Sequence, residues 1–176
     1  MKRSLLSFVI LFSVLVASAQ VKPLTFSVAV KADQKLTQKD LYKRSKLWYS
    51  DGFQCFNKQL VLDDPAQGVI VGKGSFAYVP KVFVGSAKTK GDIYYKVRLR
   101  LNQGRYELEV FDFRHTGSST SFDLLTQAAT CSKEIPGGSV EWKNEVWADI
   151  KSQAEANAKA VIKSFIAEMS KPATGY

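Results

Sequence analysis

The sequence predicts an α+β fold: a curved, mostly antiparallel sheet of about five to six strands in β-α-β-β-β-β-α order, with a short N-terminal helix and a long C-terminal helix packed on one face. Three observations predict it. Asp92 to Phe113 reads as one long antiparallel hairpin; Ser139 to Ser170 contains neither proline nor glycine and carries one apolar stripe; and a shorter helical pattern follows the first strand pattern near the N-terminus. A half-buried sheet has to be covered by something, and the C-terminal helix is the one element long enough to lie across it.

In the hairpin, apolar side chains fall on every second residue (Ile93, Tyr95, Val97, Leu99, Leu101), while Tyr94, Lys96, Arg98 and Arg100 point the other way. The returning strand repeats the alternation at Tyr106, Leu108 and Val110. Matching the two apolar faces requires partners whose numbers sum to 207, so Leu99 lies opposite Leu108. The same register sets Arg98 against Glu109 and Arg100 against Glu107, opposite charges on the polar face. It also places Gln103-Gly104 at the tip, where glycine accepts the positive φ of a tight turn. Past Val110 the alternation breaks at Phe111 and Phe113. Either a bulge re-aims the strand there or both of its faces become buried.

Taken in order, Lys2-Arg3, an apolar run from Leu5 to Val16 and Ala17-Ser18-Ala19 have the order of a secretory signal peptide, cleaved after Ala19. The run is shorter than the ~20 residues that a bilayer span needs, so no transmembrane segment is expected in the mature chain. That chain, 20 to 176, is 157 residues, the size of a single domain, with 23 basic and 16 acidic residues and a formal charge of +7. Leu24 to Val30 alternates as a first strand. Thr37 to Asp40 is a capping pattern that starts a helix reaching about Tyr49, with Leu41, Ser45, Trp48 and Tyr49 inward, Lys39, Lys43, Arg44 and Lys46 on the solvated surface, and Asp51-Gly52 as the stop. Lys58 to Leu62 is a short strand ended by the Asp63-Asp64-Pro65 turn. Gly68 to Val79 is another, with Gly72 and Gly74 marking a bulge or a sharp twist. Val82 to Val84 reads as a further extended piece, and His115 to Ser121 as a polar loop. Trp147, Ile150, Ala154, Ala158, Val161, Phe165 and Met169 form the stripe of the long helix, for which Ser139 is the N-cap.

The chemistry-bearing candidates are few. Cys55 and Cys131, in a chain bound for an oxidising compartment, are either bridged or two separate buried thiols. Neither sits in a CxxC, and with His115 the only histidine a zinc site lacks ligands. Asp63-Asp64 has no ladder of oxygens for calcium. Gly72-Lys73-Gly74 lacks the spacing and the following helix of a phosphate loop. His115 beside hydroxyls, with Asp112 or Asp123 in reach, suggests a serine triad, but no nucleophile elbow surrounds any serine. No catalytic residue, cofactor or metal is therefore expected.

KDLYKRSKLWY (39 to 49), the D-x-x-x-G-x-I pattern from Asp64 to Ile70 and GRYELEVFDF (104 to 113) together resemble a family of exported Bacteroidetes domains of unknown function that has a TATA-binding-protein-like (TBP-like) fold. The likeness spans most of the mature chain. It implies the same β-α-β-β-β-β-α order and a location in a Gram-negative envelope, periplasmic or external, and it implies no activity and no site residues.

Two readings of function follow. The first is a non-enzymatic envelope protein that binds a partner protein or acidic glycan through its sheet face or loops, with Tyr94, Lys96, Arg98 and Arg100 as the interaction face. Nucleic acid is not expected, because the basic residues are spread through every segment of an exported chain. The second is a carrier of a small apolar ligand, with Phe111, Phe113, Trp147 and Phe165 as cavity walls between sheet and long helix.

Overall fold

The computed structural model describes residues 21–33, 35–54, 56–81 and 86–171. The leader segment, Cys55 and the Val82 to Val84 piece lie outside them. The elements are β1 (Phe26–Lys31), α1 (Gln38–Leu47), β2 (Phe56–Asp64), β3 (Val69–Tyr78), β4 (Gly91–Asn102), β5 (Arg105–Gly117), β6 (Asp123–Leu124) and α2 (Val140–Met169). One antiparallel sheet runs in the order β1-β5-β4-β3-β2, and β6 pairs with β5 beyond the end of β1. The α+β fold with a long C-terminal and a short N-terminal helix is the one the sequence predicts.

The 207 register holds from Val97↔Val110 through Leu99↔Leu108 to Asn102↔Arg105, with Gly104 at φ 71° in the turn. Between Tyr94 and Lys96 it shifts by one residue. The bulge is at Asp112, whose φ is 53°, a left-handed conformation that a short polar side chain tolerates better than most. An inserted residue reverses the parity of the strand, so Phe113 and His115 join the buried face. His115 to Gly117 therefore continue β5, a correction to the loop read there.

The helices cover one face. Ile70, Ile93, Tyr95, Val97, Leu99, Leu101, Leu108 and Val110 from the sheet meet the stripe of α2, with Val146 added to its predicted members, and all are fully buried or nearly so. Each large apolar side chain buried this way contributes about 1.5–3 kcal/mol. α1 has the predicted capping box at Thr37 and Asp40. It ends two residues earlier than the pattern suggests and passes into a π-turn over Trp48–Gly52, closed by Phe53 N–H donating to Trp48 O at 2.7 Å. That wider turn puts both Trp48 and Tyr49 into the core. Tyr49 lies over Gly72, where a Cβ would come within 2.2 Å of its ring.

Arg44 is not on the solvated surface. It is 2% exposed and donates to Met169 O (3.3 Å) and Lys171 O (2.6 Å), so its charge meets the carbonyl-rich C-terminus of α2.

Candidate functional site

With both helices on one side, the alternate residues of the sheet form an open face. Cross-strand rows on it run Gln59–Lys73–Lys96–Phe111 and Tyr94–Arg114, and the β1/β5/β4 part carries Ser27, Ala29, Glu107, Glu109, Arg98 and Arg100. The structure thus brings Tyr94, Lys96, Arg98 and Arg100 together, as their alternation along one strand requires.

Their charges are organised into a ladder. Arg98 bonds Glu109 at 2.7 Å, and its guanidinium lies 4.4 Å from the centre of the Phe111 ring. Glu107 is shared by Arg100 (3.9 Å) and Arg105 (2.6 Å). Asp112 is shared by Lys96 and Arg114, each at 2.9 Å. Five cations therefore meet three carboxylates. All are partly exposed, so each pair contributes on the order of 0–1 kcal/mol to stability. Their larger effect is a positive field over one face.

Two concavities interrupt that face. One, of about 230 Å³, lies between β1 and the hairpin and is lined by Ser27, Ala29, Arg98, Arg100, Arg105 and Glu107 among others. The other, of about 420 Å³, lies beside the Asp112 bulge. Lys73, Arg105, Arg114 and Phe111 belong to the face as well. Cross-strand arithmetic finds the last three once the bulge is placed, but Lys73 needs the β3/β4 register, which no charge pair in the sequence marks.

The remaining candidates fall elsewhere. His115 is fully buried; its Nδ1 accepts from Phe122 N–H at 3.2 Å, so its Nε2–H donates to Thr89 O at 2.8 Å. Burial holds its pKa below the usual histidine range. Asp112 lies on the opposite face, Asp123 pairs with Lys133, and Ser121 Oγ accepts from Gly117 N–H. No triad is assembled from them. Cys131 is buried, and its backbone N–H donates to Asn144 Oδ1 at 3.2 Å; Cys55, the other cysteine of the two alternatives, lies outside the described residues. Among the described residues no three His, Cys, Asp or Glu side chains are grouped to hold a metal ion, and no helix is long and apolar enough to cross a membrane.

Of the four expected cavity walls, three are packed on neighbouring rings. Phe113 stacks on Tyr95 at 5.7 Å, Phe165 meets Trp48 at 4.9 Å and Tyr106 at 5.5 Å, and Trp147 meets Phe122 at 6.2 Å while its Nε1–H donates to Ala128 O. Phe111 lies on the other face of the sheet, beneath Arg98.

Comparison with known proteins adds a family. The model of the domain of unknown function DUF4468, with TBP-like fold, matches residues 26–116. The crystal structure of a DUF4468 family protein from Bacteroides ovatus superposes with a TM-score of 0.57 at 14% identity, covering 88% of this chain and 90% of that one. A TBP-like protein from Parabacteroides distasonis superposes with a TM-score of 0.52 at 10% identity, covering 82% and 93%. At these identities the likeness speaks for the fold alone. No curated protein matches the chain.

Proposed function

This chain belongs to the DUF4468 family, domains of unknown function with a TBP-like fold; since a fold carries no activity with it, we propose from its surface that it is a non-enzymatic binding module that docks an acidic partner on the open sheet face. The observation that carries the reading is the ladder in which Lys96, Arg98, Arg100, Arg105 and Arg114 share only Glu107, Glu109 and Asp112. A carboxylate divided between two cations leaves each with unused donors, and Arg in particular keeps a planar fork for a second anion. The commitment of both His115 ring nitrogens to backbone partners supports the absence of an enzymatic role. The signal-like order of residues 2 to 19 supports export, and with it a protein or acidic-glycan partner in or outside the envelope.

Salt elution from an immobilised polyanion tests this with charge-matched variants. Arg100→Gln/Arg105→Gln removes two cations from the face, and Lys159→Gln/Lys163→Gln removes two exposed cations from α2. The face variant is expected to elute at markedly lower salt than the helix variant, because only a docked surface contributes its counterions to the salt dependence. Equal shifts would make the retention a matter of net charge and end the proposal.

A further inference from the structure

We propose that the concavity beside the Asp112 bulge binds an acidic sugar residue of a polyanionic glycan, an inference that rests on the open face being the binding surface. The bulge is its structural cause. A non-glycine residue held at φ 53° in the middle of a strand is sparsely populated and persists only when its surroundings fix it, and such insertions re-aim side chains at functional surfaces. Here the extra residue parts the Lys96–Phe111 row from the Tyr94–Arg114 row and leaves a groove of about 420 Å³, lined by Gln59, Lys73, Tyr94, Lys96, Asp112 and Arg114.

The charges in the groove are unbalanced. Lys73 stands directly opposite Lys96 in the β3/β4 register, an arrangement that destabilises a sheet unless something neutralises it. Lys96 and Arg114 both turn to Asp112 at 2.9 Å, whereas Lys73 has no carboxylate partner among the described residues. Three cations thus face one carboxylate, and an incoming carboxylate or sulfate completes the set.

The rest of the lining selects the anion's carrier. Tyr94 is 41% exposed beside Arg114, and it offers a flat apolar face to the C–H side of a sugar ring. Gln59 adds an amide that both donates to and accepts from hydroxyls. An acidic peptide would satisfy the cations and leave the exposed ring without a purpose.

Calorimetric titration with a size-defined oligogalacturonate, its methyl-esterified form and a polyglutamate of equal charge tests the assignment. The oligogalacturonate is expected to bind about tenfold or more tighter than either of the others. Tyr94→Ala and Lys73→Ser, both exposed positions, are each expected to weaken it about fivefold or more while near-ultraviolet circular dichroism shows the fold intact. No measurable binding overturns the assignment, as does polyglutamate binding equally well with the same sensitivity to Tyr94→Ala, which makes this a peptide site. Binding that survives both groove variants and is lost in Arg100→Gln/Arg105→Gln overturns the groove and leaves the open face standing. Binding indifferent to all of these variants removes both.

Discussion

Replacing Gly72 by alanine tests how the π-turn after α1 is held against the sheet. A Cβ at this position would lie 2.2 Å from Tyr49 Cε2, 2.4 Å from its hydroxyl oxygen and 2.5 Å from Cζ. Ordinary carbon contacts begin at about 3.5–4.0 Å, so the ring has to retreat by about 1.3–1.8 Å. It has nowhere to go. Tyr49 is stacked on Phe53 at 5.4 Å, and Phe53 in turn packs on Trp48 at 5.2 Å and on Tyr95 at 6.0 Å. Overpacking of this sort costs about 1–3 kcal/mol. For a domain of this size each kcal/mol lowers Tm by about 2–4 °C, so thermal unfolding followed by near-ultraviolet circular dichroism should show a fall of about 2–12 °C. Tyr49→Leu in the same background shortens the obstructing ring, and the double variant is expected to be more stable than the two single losses predict, by about 1 kcal/mol. A Gly72→Ala protein that melts within about 1 °C of the wild type, or strict additivity in the double variant, would refute the reasoning.

Two further predictions concern buried charge. His115 is held neutral, so its folded pKa lies below the unfolded value of 6.5 and the unfolded chain binds the proton first as pH falls. Its stabilising contribution is complete above about pH 6.5 and declines at up to about 1.4 kcal/mol per pH unit below it until the folded pKa is reached. Urea midpoints of the wild type should fall between pH 7 and pH 5 by more than those of His115→Gln, and parallel curves would contradict this. Arg44→Met removes the donors that satisfy Met169 O and Lys171 O and is expected to cost about 1–3 kcal/mol in urea unfolding. A neutral result would mean that the α2 C-terminus is solvated without it.

The hairpin was legible because two independent patterns, apolar alternation and opposite charges, demand the same register, and because Gly104 sits where that register needs a turn. The α2 stripe was legible for a similar reason, since Ser139 caps a run in which nothing interrupts the 3.6-residue period. What could not be read depended on events that leave little local mark. One inserted residue at Asp112 reverses parity, which turns a polar-looking His115 into a core residue and separates Phe111 from Phe113. Arg44 looks like one more surface cation beside Lys43 and Lys46 until α2, more than a hundred residues later, ends against it. Gly72 reads as a twist in a strand, while its reason is the Tyr49 ring above it. In the candidate face, the members on β4 were visible from alternation alone, whereas Lys73 enters through long-range register that only the folded sheet supplies.

We propose that the open face, and not the helical side, meets an acidic partner. Amide and side-chain chemical shifts of isotope-labelled protein, followed during titration with oligogalacturonate, separate the two surfaces. Movement centred on Lys73, Tyr94, Lys96, Arg98, Arg100 and Arg114, with the exposed face of α2 unmoved, is the predicted result. Shifts centred on α2, or scattered evenly over every exposed lysine and arginine, would contradict it.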